Sequence, residues 1–171
     1  MSDAKIFDYL NQLIGQSVCA IGRAANMLWI GIGDTTSELG NGGGDDAKSL
    51  FSLHIQSAWR IINKEKKEII LASSDMYSPS KKMESEETFE WDLQGNNLFD
   101  EKAPIWLEKE GILYIKEYKI NRWGDMLLIL SNEDCIEIFV NSSDYTESWR
   151  LFKRHSNEEH LVVTGLGYEI K

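Results

Sequence analysis

The feature that most constrains this chain is a series of short apolar strands in its second half, joined by turns too short for crossovers. ILYIKEYKI, MLLIL and CIEIFVNS are separated only by Arg122-Trp123-Gly124-Asp125 and by Ser131-Asn132-Glu133-Asp134. Parallel strands need connections of a dozen residues or more, so this series predicts an antiparallel meander. Residues 147–153 and 160–165 supply two more strands.

The first half adds to the sheet. SVCAIGRAANMLWIGIGD reads as two strands around a tight turn near Ala25-Asn26, apolar enough to be buried on both faces. A long strand is expected from Ser49 to Asn63, turned by residues 64–67 into EIILASSD. Residues 3–14 carry Ile6, Leu10, Leu13 and Ile14 near helical spacing, with Gly15 as the stop. TFEWDL is read as a short strand, and Pro104 is placed in the first turn of a short helix over 104–110. The expected fold is therefore α+β: strand-rich, mainly antiparallel, with an N-terminal helix and one further short helix. The 171 residues are read as one domain, with mobile loops at 36–47 and 76–88.

Charge and composition narrow the function. A net charge of −10 lacks the clustered cations that nucleic acid requires, and it favours a basic partner. No apolar run reaches the length of a membrane span, and the N-terminus does not read as a secretory signal. Cys19 and Cys135 lie in apolar, strand-like surroundings, so they are read as buried thiols of a cytoplasmic protein. GIGD at 31–34 lacks the third glycine and following helix of a dinucleotide site. GNGGGDD lacks the alternating ligands of an EF-hand. His155 and His160 have an awkward spacing for two metal ligands, and there is no HExxH or GxSxG. No catalytic residue, metal or cofactor is assigned.

The leading candidate site comes from LFSLHIQSAWRII. Alternation sets Leu53, Ile55, Ser57, Trp59 and Ile61 on one face and His54, Gln56, Ala58, Arg60 and Ile62 on the other. Imidazole, amide and guanidinium together suit an anionic ligand; the alternative is a solvent-facing strand or a salt bridge such as Arg60 to Asp75. A second Trp-Arg pair stands in TESWRLF, so Arg150 joins the candidates if that strand is a neighbour. Arg23, embedded in apolar sequence, is the fifth; a buried arginine needs a carboxylate, with Glu147 and Asp75 the first partners to test. Trp91, Trp106 and Trp123 lie beside polar turns, where they either anchor a protein interface or close the ends of the core.

GRAANMLWIGIGD, LHIQSAWRI, ESWRLF and HLVVTG together give a pattern that resembles small bacterial cytosolic proteins of unassigned function. In size, acidity and lack of a catalytic motif the chain also resembles, as a class, the immunity proteins that neutralise bacterial toxins. That resemblance implies a non-catalytic protein-interaction module and transfers no functional residues. Two other readings stay open: an anionic small-molecule binder or enzyme with a His54, Gln56 and Arg60 pocket, and a homodimer formed through a sheet face or edge.

Overall fold

A computed structural model describes residues 3–34, 49–109 and 111–171. The helices are α1 (Asp3–Asn11) and α2 (Leu98–Lys109). The strands are β1 (Ser17–Ala24), β2 (Met27–Asp34), β3 (Ser49–Ile55), β4 (Ala58–Asn63), β5 (Glu68–Ala72), β6 (Leu113–Ile120), β7 (Met126–Leu130), β8 (Asp134–Phe139), β9 (Glu147–Lys153), β10 (Leu161–Thr164) and β11 (Gly167–Ile170). All 11 lie in one antiparallel sheet, ordered β11-β10-β9-β3-β2-β1-β6-β7-β8-β4-β5.

Two places shape this sheet. Between β1 and β6 the ladder narrows to Ser17 opposite Tyr114 and Val18 opposite Leu113. At Gln56-Ser57 the expected long strand breaks, and both amides donate to the carbonyl of Ser148, at 2.8 and 3.1 Å. On one side of that corner β3 pairs with β2 and β9; on the other β4 pairs with β8 and β5. Contiguous chain therefore serves both halves of the sheet, and their apolar faces share one core. Leu53, Ile55, Trp149 and Leu151 from one half cluster with Trp59, Ile61, Leu128 and Ile136 from the other. Burial follows the alternation through the corner: Leu53, Ile55, Ser57, Trp59 and Ile61 are all buried.

Helix α1 adds Ile6 and Leu10 to the core, the turn after it adds Leu13, and Tyr118 Oη donates to Asn11 Oδ1 at 2.9 Å. Gly15, at φ 82°, ends that segment. Helix α2 begins six residues before the expected start. The Asn97 side chain accepts from Asp100 N at 2.9 Å, capping the first turn, so Pro104 falls inside the helix. Phe99, Ala103 and Trp106, spaced i, i+4, i+7, form its buried stripe, and Phe99 meets Trp59 edge-on at 5.8 Å.

Other readings meet the structure as follows. The tight turn is formed by Ala25 and Asn26, Ala25 at φ 51°. TFEWDL forms no strand; its Thr88 ends the single 3₁₀ turn Glu86–Thr88, and Phe89 caps that turn. Within the expected loop 76–88, Ser80 Oγ and Lys81 N both donate to Glu101 Oε2, at 2.6 and 2.8 Å. A further strand, β11, was not expected. The glycine-rich acidic loop at 36–47 lies outside the described residues. Cys135 is buried and Cys19 half-buried. Among the described residues, no helix is long and apolar enough to cross a membrane.

Candidate functional site

The five candidate residues occupy three places. His54, Gln56 and Arg150 are brought together because β9 is the direct neighbour of β3, with His54 opposite Arg150. Their surroundings are the outer face of the sheet. Glu147, on the same strand as Arg150, accepts from Arg150 Nε at 3.0 Å and from Nη2 at 2.6 Å. Gln56 Nε2 donates to the same carboxylate at 3.3 Å. The third guanidinium nitrogen, Nη1, lies 3.1 Å from Nδ1 of His160. A guanidinium can only donate, so Nδ1 accepts and the ring proton of a neutral His160 sits on Nε2. Phe152 ties the group together, edge-on to His54 at 4.9 Å and stacked on His160 at 4.6 Å.

The electrostatics follow from this geometry. Hydrogen bonding to Glu147 raises the Arg150 pKa, so the guanidinium is fixed as a cation. Burial, then the Arg150 charge, holds His160 below the ordinary histidine value, against a smaller opposing pull from Glu147. The cation is matched by a carboxylate within its own strand. What the arrangement does chemically is lock β3, β9 and the entry to β10 in register.

Arg23 lies elsewhere, and its partner is neither Glu147 nor Asp75. It forms a two-pronged pair with Asp100 in the first turn of α2, Nε to Oδ1 at 2.7 Å and Nη2 to Oδ2 at 2.8 Å. Both side chains are only 2% exposed. The remaining donors reach the carbonyls of Ala25 at 3.0 Å and Leu93 at 3.2 Å, while Asp100 also accepts from Gly95 N at 2.8 Å. The clamp ties the β1–β2 hairpin, the 92–97 segment and α2 together, which is what a buried ion pair requires to be tolerated. Its Arg23 pKa is raised, chiefly by the Asp100 hydrogen bonds.

Arg60 is on β4, in the other half of the sheet. It pairs with Glu137, directly across on β8, and its guanidinium covers the Phe139 ring at 5.5 Å. Asp75 instead accepts from Ala72 N at 3.0 Å and lies 3.6 Å from Lys102 Nζ. The three arginines are thus separated, each with its own carboxylate.

A different surface is formed where three connections meet. The β6–β7 turn, the β8–β9 loop and the β10–β11 turn are packed together so closely that two glycines have no room for a side chain. A Cβ on Gly165 would lie 2.1 Å from the Ser142 carbonyl oxygen, and one on Gly124 would lie 2.5 Å from Val163 Cγ1. Asp125 Oδ1 accepts from Val140 N at 2.7 Å, and Trp149 Nε1 donates to the Gly124 carbonyl at 2.8 Å. From this packed base project Trp123, 60% exposed, Tyr145, 81%, and Leu166, 58%. Arg122 stacks on Trp123 at 4.3 Å, and Thr146, through its side chain and backbone N–H, holds the Asp144 carboxyl below its ordinary value. Trp123 was legible in the sequence as an aromatic beside a polar turn. Tyr145 and Leu166 were not singled out, although each is a lone large residue in a polar or glycine-flanked turn.

Among the described residues, no group of three or more His, Cys, Asp or Glu side chains could hold a metal ion. No protein-family model, curated protein or solved structure matches the chain.

Proposed function

We propose that this protein is a non-catalytic interaction module that docks a basic cytosolic protein through the three-connection end carrying Trp123, Tyr145 and Leu166. The observation that carries this reading is rigid presentation: three exposed large side chains stand on connections packed together, Gly165 against the Ser142 backbone and Gly124 against the Val163 and Val140 side chains. Trp and Tyr anchors on a preorganised base give affinity with little ordering cost on binding. The charge of −10 steers a cationic partner and accelerates its encounter. The class resemblance to toxin-neutralising immunity proteins points the same way. The anionic-ligand reading of His54, Gln56 and Arg150 is less favoured, because Glu147 already occupies the Arg150 donors.

The test compares capture by the native protein and by Trp123→Ala/Tyr145→Ala/Leu166→Ser from the native source, with crosslinking and at two salt concentrations. The reading holds if a basic protein is retained by the first, lost by the variant and weakened by salt. It fails if the captured protein binds both baits equally, or if crosslinking recovers nothing. Sedimentation over a concentration series reads out the remaining alternative, self-association through a sheet face or edge.

A further inference from the structure

We infer that a second site, a pocket of about 170 Å³ between α2 and the β4–β5 hairpin, binds a small aromatic carboxylate. The helix contributes Lys102, Ile105, Trp106 and Lys109, at i, i+3, i+4 and i+7, so one helical face supplies two cations and two apolar groups. The hairpin contributes Lys66 and Ile70.

The floor is polar and already satisfied. Asp134 is 3% exposed, and its carboxylate accepts from Asn63 Nδ2 at 2.7 Å, Asn132 Nδ2 at 2.8 Å and the Trp106 indole N–H at 2.9 Å. These bonds hold Asn63 and the indole ring in place and leave the carboxylate little capacity for a cationic ligand. The walls are apolar, and Ile105 is 56% exposed, an uncovered branched side chain beside a concave surface. Lys66 and Lys109 are exposed and Lys102 is half-buried. Lys102 lies near Asp75, while among the described residues no carboxylate is within ion-pair distance of Lys66 or Lys109. Glu68 and Asp134 also line the pocket and Lys102 is paired with Asp75, so the capacity to hold an anion rests on Lys66 and Lys109.

In a chain with ten surplus negative charges, two lysines without an ion-pair partner, Lys66 and Lys109, line an apolar hollow and select an anion with an apolar body. The volume sets the size of that body. A cavity of about 150 Å³ accommodates benzene, so one aromatic ring fits here. A carboxylate would then lie beside Lys66 and Lys109, with the ring on Ile70, Ile105 and Trp106.

The experiment is a titration of the full chain with phenylacetate, followed by the Trp106 indole N–H resonance, which reports on the floor. Saturable displacement is expected with a Kd of about 1 mM, the affinity of a ligand of about ten heavy atoms. Phenylacetamide, which keeps the ring and removes the charge, and acetate, which keeps the charge and removes the ring, are each expected to bind about tenfold more weakly. Lys66→Gln/Lys109→Gln is expected to weaken phenylacetate about tenfold while leaving the unfolding midpoint unchanged. The proposal is overturned if phenylacetate fails to saturate the Trp106 signal, if phenylacetamide or acetate binds as well, or if the lysine variant binds as tightly as the native chain. The ligand series on the native protein decides the matter without the variant. This site shares no residue with the three-connection end, so either proposal can fail alone.

Discussion

Helix α2 has two differently finished regions. In its first turn Asp100 meets Arg23, and every polar atom of the pair has a partner in a place solvent does not reach. On its later turns Lys102, Ile105, Trp106 and Lys109 face a hollow, with lysines that lack full pairing and an isoleucine that lacks cover. The same helix therefore shows what a closed, load-carrying contact looks like beside an open one. The difference teaches that a charged residue in an apolar stretch is not in itself a sign of a site: Arg23, Arg60 and Arg150 are charged, yet each meets a carboxylate. Charge without a partner, next to apolar surface without a neighbour, is the more selective signal.

The comparison breaks first at the closed end. Arg23→Met leaves Asp100 buried without its counter-charge and is expected to cost about 3–5 kcal/mol, read as a fall in the urea midpoint at unchanged slope. A loss below about 1 kcal/mol would mean the pair is not what joins α2 to the β1–β2 hairpin. Asp134→Ala, at the floor of the open end, strands three donors and is expected to cost about 2–3 kcal/mol by the same measurement. Gly165→Ala forces apart the β8–β9 and β10–β11 connections and is expected to cost about 2 kcal/mol, with loss of partner capture in proportion. Equal capture by this variant would separate docking from the packed base.

Smaller effects sharpen the contrast through pH. The folded His160 pKa lies below its unfolded value, so between the two the unfolded chain binds more protons. The stability contribution is whole above about pH 6.5 and is lost as pH falls from there through the folded pKa. His160→Gln is expected to flatten that part of the stability profile below about pH 6.5, measured by urea unfolding at each pH. A slope identical to the native one would show that another group titrates there.

How much of this was legible depended on the range of the interaction. The meander β6–β7–β8 and the β4–β5 hairpin could be read directly, because their pairing is enforced by turns of a few residues. The inner and outer faces of 49–63 were also readable, since alternation continues unbroken through the corner. The corner was not. It depends on Ser148, a residue nearly a hundred positions away whose carbonyl takes two successive amides. Helix α2 was read too short because Pro104 suits the first turn of a helix, whereas the Asn97 cap and the buried Phe99 stripe start it six residues earlier. That error also concealed the lysine face, since Lys102 fell outside the expected helix. The pairing of His54 with Arg150 was framed correctly as a question of strand adjacency, and only tertiary structure could answer it. The partners of Arg23 and Arg60 were misassigned because Asp100 and Glu137, each 77 positions away, are indistinguishable in sequence from many other acidic residues.

The corner at Gln56-Ser57 has a consequence for how the chain is made. Strand β3 leaves the ribosome about 90 residues ahead of its neighbour β9, a wait on the order of ten seconds at ordinary synthesis rates. Until then the β1–β2–β3 unit has an apolar strand with an unpaired edge, a surface on which chains associate. That edge is closed only when β9, with Trp149 opposite Ile55, has been made.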